Sequence, residues 1–208
     1  MNDIVNLELF DNYKKSVYDL ADKLPQWSSE QLDRRVKASI SSLFEEAGEI
    51  SGLYSKYCTR TNKHGIDFYN TPVATLPSDV YEEVREKFID EASDFLWVLV
   101  ASCHALANEG VGLLAQFTKA REDIINDQHI TFDNSLFDIF GSIFVMYSST
   151  HFNDKSFIEC LSDIAYSFGI FLTMLNTRYE IILSDLIKHN MEKLGFRYDA
   201  NGKRVDGK

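Results

Sequence analysis

The chain has 208 residues, 45% of them apolar and 25% charged, and a formal net charge of −11. That length suits one domain with a substantial core, and the composition excludes an intrinsically disordered chain. The acidic balance excludes a protein built to grip nucleic-acid polymer, which needs an excess of Lys and Arg, but not a nucleotide held through a metal ion.

Proline is scarce (3) and glycine modest (10), which favours helices with short connections. Cys58, Cys103 and Cys160 are odd in number and widely separated. They show neither a metal-type spacing nor a disulfide framework, so free thiols in a reducing cytoplasm are expected. The start, Met1-Asn2-Asp3, has no signal-peptide apolar core, and the longest wholly apolar run, 95–101, falls far short of the roughly 18 residues of a membrane span. No membrane partner is expected.

Residues 4–23 predict a first amphipathic helix, with Leu9, Tyr13, Val17 and Leu20 at helical spacing and Leu24-Pro25 ending the run. In the connector 26–31, Trp27 is read as a packing residue, with a base-lining role as the alternative. A second helix over about 32–57 carries an apolar stripe of Val36, Ile40, Leu43, Ala47, Ile50 and Tyr54. Residues 58–77 form a long polar loop in which Arg60, Lys63 and His64 are either solvated or in contact with phosphate. Asp79 and Glu82 resemble a capping box opening a third helix to about 107. Its stripe is Val84, Phe88, Ala92, Phe95, Leu96 and Leu99, and its second half is apolar on almost every side.

Three further helices follow, to about 126, over 135–147 and over 154–175. Phe140-Gly141 and Phe168-Gly169 suggest phenylalanine packing around close helix contacts. A last helix is expected from Thr177, capped through Glu180, to about 194, with a polar tail from Asp199. No alternating β pattern occurs, so the predicted class is an all-α helical bundle. The heavily apolar stretches 95–107, 136–147 and 164–175 point to a homodimer or higher homo-oligomer.

The chemistry lies in two acidic motifs, Glu45-Glu46-Ala47-Gly48-Glu49 and Glu91-Ala92-Ser93-Asp94. With Ala47 at the centre of its buried stripe, about 100° per residue puts Glu46 roughly 100° away and Glu49 roughly 160° away on the same side. Glu91 and Asp94 stand in the same relation to Ala92. Antiparallel packing of the two helices brings four carboxylates to one rim, where like charges repel and a divalent cation relieves the repulsion. Oxygen-only ligands favour Mg2+, or Mn2+, over zinc. A di-iron bundle needs Glu-x-x-His pairs, and no histidine here has an acid three residues before it. His104, His129 and His189 read as structural or surface residues. The alternative for the acids is two solvated helix faces.

Glu45-Glu46-x-x-Glu49 followed by Glu91-x-x-Asp94 resembles the signature of the all-α nucleoside triphosphate pyrophosphohydrolases, the MazG-like group with its dCTPase and dimeric dUTPase relatives. The stretch Asn190-Met191-Glu192-Lys193-Leu194-Gly195-Phe196-Arg197 is similar to that group's closing Asn-x-x-Lys-Leu-x-x-Arg element. The resemblance implies one domain over the whole chain, with a helical insertion around 110–150 before the C-terminal helix. It implies hydrolysis of a nucleoside triphosphate to monophosphate and pyrophosphate, with Mg2+ on Glu46, Glu49, Glu91 and Asp94. Glu45 would be a further ligand or the base orienting water, beside Glu46. Asn190, Lys193 and Arg197 would bind substrate. The Trp- and Lys-rich segment that often follows the first motif in the dUTPase relatives is absent after Glu49, so base preference stays open. A dedicated dUTPase or dCTPase, and a non-catalytic helical protein binding a nucleotide or a partner, are the alternatives.

Overall fold

The computed structural model describes residues 7–59, 75–107, 111–126, 132–148, 154–198 and 203. These residues form α1 (Leu7–Ala21), α2 (Leu32–Tyr54), α3 (Ser78–Ala107), α4 (Leu113–Asn126), α5 (Phe132–Ser148), α6 (Asp154–Tyr179) and α7 (Leu183–Arg197), with no β-strand among them. One π-helical turn, Ser55–Thr59, prolongs α2. The protein is an all-α helical bundle.

The central helix is α3, which packs against α1, α2, α6 and α7. From Phe95 onward its side chains are buried on nearly every side, as expected for a helix surrounded by others. Two hydrogen bonds fix the direction of α2 against it. Arg35, at the start of α2, donates to the carbonyl of Ala105 at the end of α3 (2.6 Å). Tyr57, just past the end of α2, donates to Glu83 near the start of α3 (2.8 Å). The two helices are therefore antiparallel, which puts the two acidic motifs at the same level. Trp27 is buried in an edge-on contact with Trp97 (5.7 Å), as a packing residue should be.

The second hub is α6, against α3, α4 and α5. Phe168 lies 4.7 Å from Phe95, 6.1 Å from Phe117 and 5.8 Å from Phe171 by ring centres, and Phe88 stacks on Tyr179. Each buried ring contributes about 1.5–3 kcal/mol by removal from water. The close helix contact expected at the Phe-Gly pairs exists at one of them. A Cβ on Gly169 would stand 2.9 Å from both the Cα of Phe117 and the Cβ of Ala120, whereas one on Gly141 would meet nothing within 4 Å. Gly169→Ala must push α4 away and should cost about 2 kcal/mol. Gly52→Ala, with open space around it, should be neutral or stabilising by about 0.5 kcal/mol. Equal denaturation midpoints for the two variants would disprove the contact.

Several boundaries differ from expectation. Thr177 does not start the last helix. It lies inside α6, and its hydroxyl donates back to the Thr173 carbonyl (2.9 Å) instead of capping forward. The break falls at Glu180, which takes φ of 55°, with Glu180 N–H on the Asn176 carbonyl (3.0 Å) and Ile181 N–H on that of Leu175 (3.4 Å). This is an αL-type ending, with the 5→1 bond from Glu180 to Asn176, made without glycine. The next helix is opened by Asp185, whose carboxylate accepts from the Ile182 N–H (3.2 Å). At the other end, α1 buries Phe10, Tyr13, Val17 and Ala21, so its stripe is turned slightly from the expected one and Leu9 and Leu20 are only partly covered. Helix α3 starts one residue before Asp79. Most of the expected 58–77 loop, with Arg60, Lys63 and His64, lies outside the described residues, as do His129, His151 and nearly all of the tail.

The stretches 95–107 and 164–175 need no second copy to bury them. They are the buried parts of α3 and α6. Phe157–Tyr179 is long and apolar enough to cross a membrane by composition, but it is the packed hub helix, with Leu161, Ile164, Phe168, Phe171 and Leu175 fully buried. Among the described residues, α5 is the helix that leaves a large apolar face outside the core. Cys103 and Cys160 are buried free thiols.

Candidate metal centre

The acidic motifs meet because the small residues at their centres are buried. Ala47 and Ala92 lie in the core, and the acids on either side are carried to the α2–α3 rim. There Glu46, Glu49 and Glu91 each offer one carboxylate oxygen, all within 4.8 Å of one another. Glu49 is exposed, while Glu46 and Glu91 are half-buried.

This proximity is electrostatically costly. Burial, followed by the charges of Asp94, Glu49, Glu45 and Glu91, pushes the Glu46 carboxyl up to about 8. Burial, a hydrogen bond shared with Glu49, and the neighbouring negative charges raise Glu91 to about 7. One oxygen of Glu46, Oε2, is inaccessible to water and has no hydrogen-bond partner. A buried acceptor without a donor costs about 1–3 kcal/mol, so such an atom calls for explanation. A divalent cation among the three oxygens would satisfy it and remove the repulsion. By donor type and charge, three carboxylate oxygens are ligands that a hard cation such as Mg2+ or Mn2+ would take.

The fourth acid is placed differently from expectation. Asp94 stands beside the cluster but is held by the Lys193 ammonium through Oδ2 and by the Asn190 amide through Oδ1 (3.4 Å). Lys193 also donates to Asp90 (2.6 Å), and His189 Nε2 meets the same Asp90 oxygen at 3.1 Å. Burial opposes the charge on Lys193, yet hydrogen bonds to Asp90 and Asp94 outweigh it and raise its pKa. Burial likewise opposes the charge on Asp90, and the bonds from Lys193 and His189 bring its pKa below the usual carboxylate value.

Asn190 does not face an open site. It is 1% exposed, and its amide is fully engaged. Nδ2 donates to the Ser93 carbonyl (3.1 Å) as well as to Asp94, and Oδ1 accepts from the Tyr13 hydroxyl (3.3 Å). It therefore joins α7, α3 and α1 behind the carboxylates rather than contacting a ligand. Burial, and then the charge of Asp94, keep Tyr13 protonated as that donor. Arg197 lies one turn beyond Lys193, half-buried and without an ion pair among the described residues. Glu45 is exposed and outside the three-oxygen cluster, which it influences only by its charge on Glu46.

The sequence reading missed Asp90, His189, Tyr13 and Ser93. One signal was available. Asp90 and Asp94 are four residues apart on α3, and His189 and Lys193 four apart on α7, so two packed helices present matching acidic and basic pairs. Comparisons with protein-family models, with curated proteins and with solved structures find no match to this chain.

Proposed function

We propose that this protein is a Mg2+-dependent nucleoside triphosphate pyrophosphohydrolase, cleaving the α–β phosphoanhydride bond of a deoxynucleotide in the cytoplasm. The observation that carries this reading is the three-carboxylate cluster, with its buried unpartnered Glu46 oxygen, beside the cationic end of α7. The family resemblance of the two acidic motifs and the closing element supports it.

Glu46, Glu49 and Glu91 would hold the cation, with Asp94 joining as Lys193 turns from it toward substrate. Bound Mg2+ would neutralise phosphate charge and lower the pKa of a water molecule. Lys193 and Arg197 are suited to phosphate oxygens, Lys193 as a point charge and Arg197 through its planar fork. Asp90 keeps Lys193 oriented, and Asn190 with Tyr13 fixes the height of α7 over α3. Glu45, exposed next to Glu46 in sequence, would be the base that accepts a proton from the attacking water.

Incubation with all natural deoxynucleoside triphosphates and dUTP, with Mg2+ or Mn2+, should release pyrophosphate and monophosphate in equal amounts from at least one, without orthophosphate. If none yields pyrophosphate, the reading fails. Thermal stabilisation by a triphosphate without turnover would instead support a non-catalytic binder.

A further inference from the structure

Helix α5 is apolar on both sides, and only one side is covered. Leu136, Ile139, Ile143 and Met146 are buried, and Phe140 stacks on Phe44 of α2 at 6.3 Å. At about 100° per residue, Phe137, Gly141, Phe144 and Ser148 form a straight stripe on the opposite side. Phe137 is 76% exposed, Phe144 61%, Val145 52% and Tyr147 67%. After Asp138 the helix has no charged side chain. An exposed apolar patch of this kind marks an interaction surface.

We propose that the outer face of α5 is the two-fold contact through which two copies of this chain pair. The stripe is self-complementary. Phe137 and Phe144 project on either side of Gly141, whose surroundings are open. Two α5 helices crossing at Gly141 place the phenylalanines of each copy against the glycine gap of the other. A groove of about 430 Å3 lies along the same face, with Phe137, Gly141 and Val145 on its apolar side and Asp138, Asp163 and Tyr166 on its polar side.

The area also suits a second copy. The four exposed side chains present on the order of 500 Å2 on one chain, near the upper end of what a lone monomer shows. Val145 and Tyr147 flank the stripe on opposite sides and are covered only in part, so pairing covers roughly 800 Å2, the size of a weak, reversible contact. A membrane surface is a poorer occupant, because α5 has no Lys or Arg to meet anionic headgroups and the chain carries a net −11.

Sedimentation equilibrium of the full chain at tens of micromolar should give twice the 23.9 kDa chain mass. Phe144→Glu and Gly141→Gln, both at exposed positions, should each weaken pairing at least a hundredfold and yield folded monomers by circular dichroism. Leu7→Glu, at an equally exposed apolar position on α1, should leave the dimer intact. A wild-type monomer, or a dimer that survives both α5 substitutions, would overturn the proposal. Should Phe144→Glu fail to fold, Gly141→Gln alone decides it, since its added side chain meets open space.

Discussion

Glu49→Gln is expected to abolish turnover while leaving the fold intact, a loss of about a thousandfold or more in kcat/KM. The substitution keeps size and shape and removes one negative charge. Glu49 is exposed, so its structural cost is small. Its chemical cost is large, because one of the three converging carboxylate oxygens among the described residues is lost to an amide, a poorer ligand for a hard cation. Without a cation, a triphosphate would be repelled by the acids that remain. Asp94→Asn should be equally inactive for a different reason. It removes the carboxylate that Lys193 and Asn190 hold beside the cluster. Glu45→Gln should lose less, on the order of tenfold to a hundredfold, because a misplaced base leaves the cation site standing. Initial rates of pyrophosphate release check all three. A Glu49→Gln enzyme within about tenfold of wild type would remove Glu49 from the proposed mechanism.

The second large effect is on stability against pH. Burial and the neighbouring acids push Glu46 up to about 8 and Glu91 up to about 7 in the folded chain, both above the ordinary glutamate value of 4.5. Between pH 5 and 8 the folded state thus retains protons that the unfolded chain has released. Stability must fall as pH rises through that window and level off above it. One fully retained proton gives a slope of about 1.4 kcal/mol per pH unit, and partial exposure of both groups reduces this. Asp90 and Lys193 do not counteract the trend, since one is shifted down from 3.8 and the other up from 10.5, both outside the window. Thermal melts in chelator should therefore drop by several degrees between pH 5.5 and 8. Mg2+ should reverse the drop at pH 8 and do little at pH 5.5, where protons already neutralise the site. Glu46→Gln in chelator should flatten the profile. A rise in melting temperature with pH would contradict the account of these acids.

The fold was legible because helical periodicity depends on burial alone. The stripes of α2 and α3 can be read from Ile40, Leu43, Ala47 and Ile50, and from Val84, Phe88, Ala92 and Phe95. The same two stripes, with an antiparallel crossing, brought Glu46, Glu49 and Glu91 together. The end of α6 was not legible, because Glu180 takes a left-handed conformation usually left to glycine, and a Thr-x-x-Glu pattern beside it imitates a start. The role of Asn190 was hidden for a related reason. Whether an amide faces a ligand or ties helices together depends on which neighbours lie behind it, and Tyr13 is 177 residues away in sequence. The split of apolar stretches into core and free surface was equally out of reach. Residues 95–107, 136–147 and 164–175 read alike, and only packing shows that α5 alone keeps Phe137 and Phe144 exposed.

Whether the rim of α2 and α3 holds a cation is decided by counting bound Mn2+ by electron paramagnetic resonance at pH 8. At least one Mn2+ per chain should bind, displaced by Mg2+, weakened toward pH 6 and lost in Glu49→Gln. Mn2+ that stays wholly free at millimolar concentration, or binding that Glu49→Gln leaves unchanged, would contradict a cation site there.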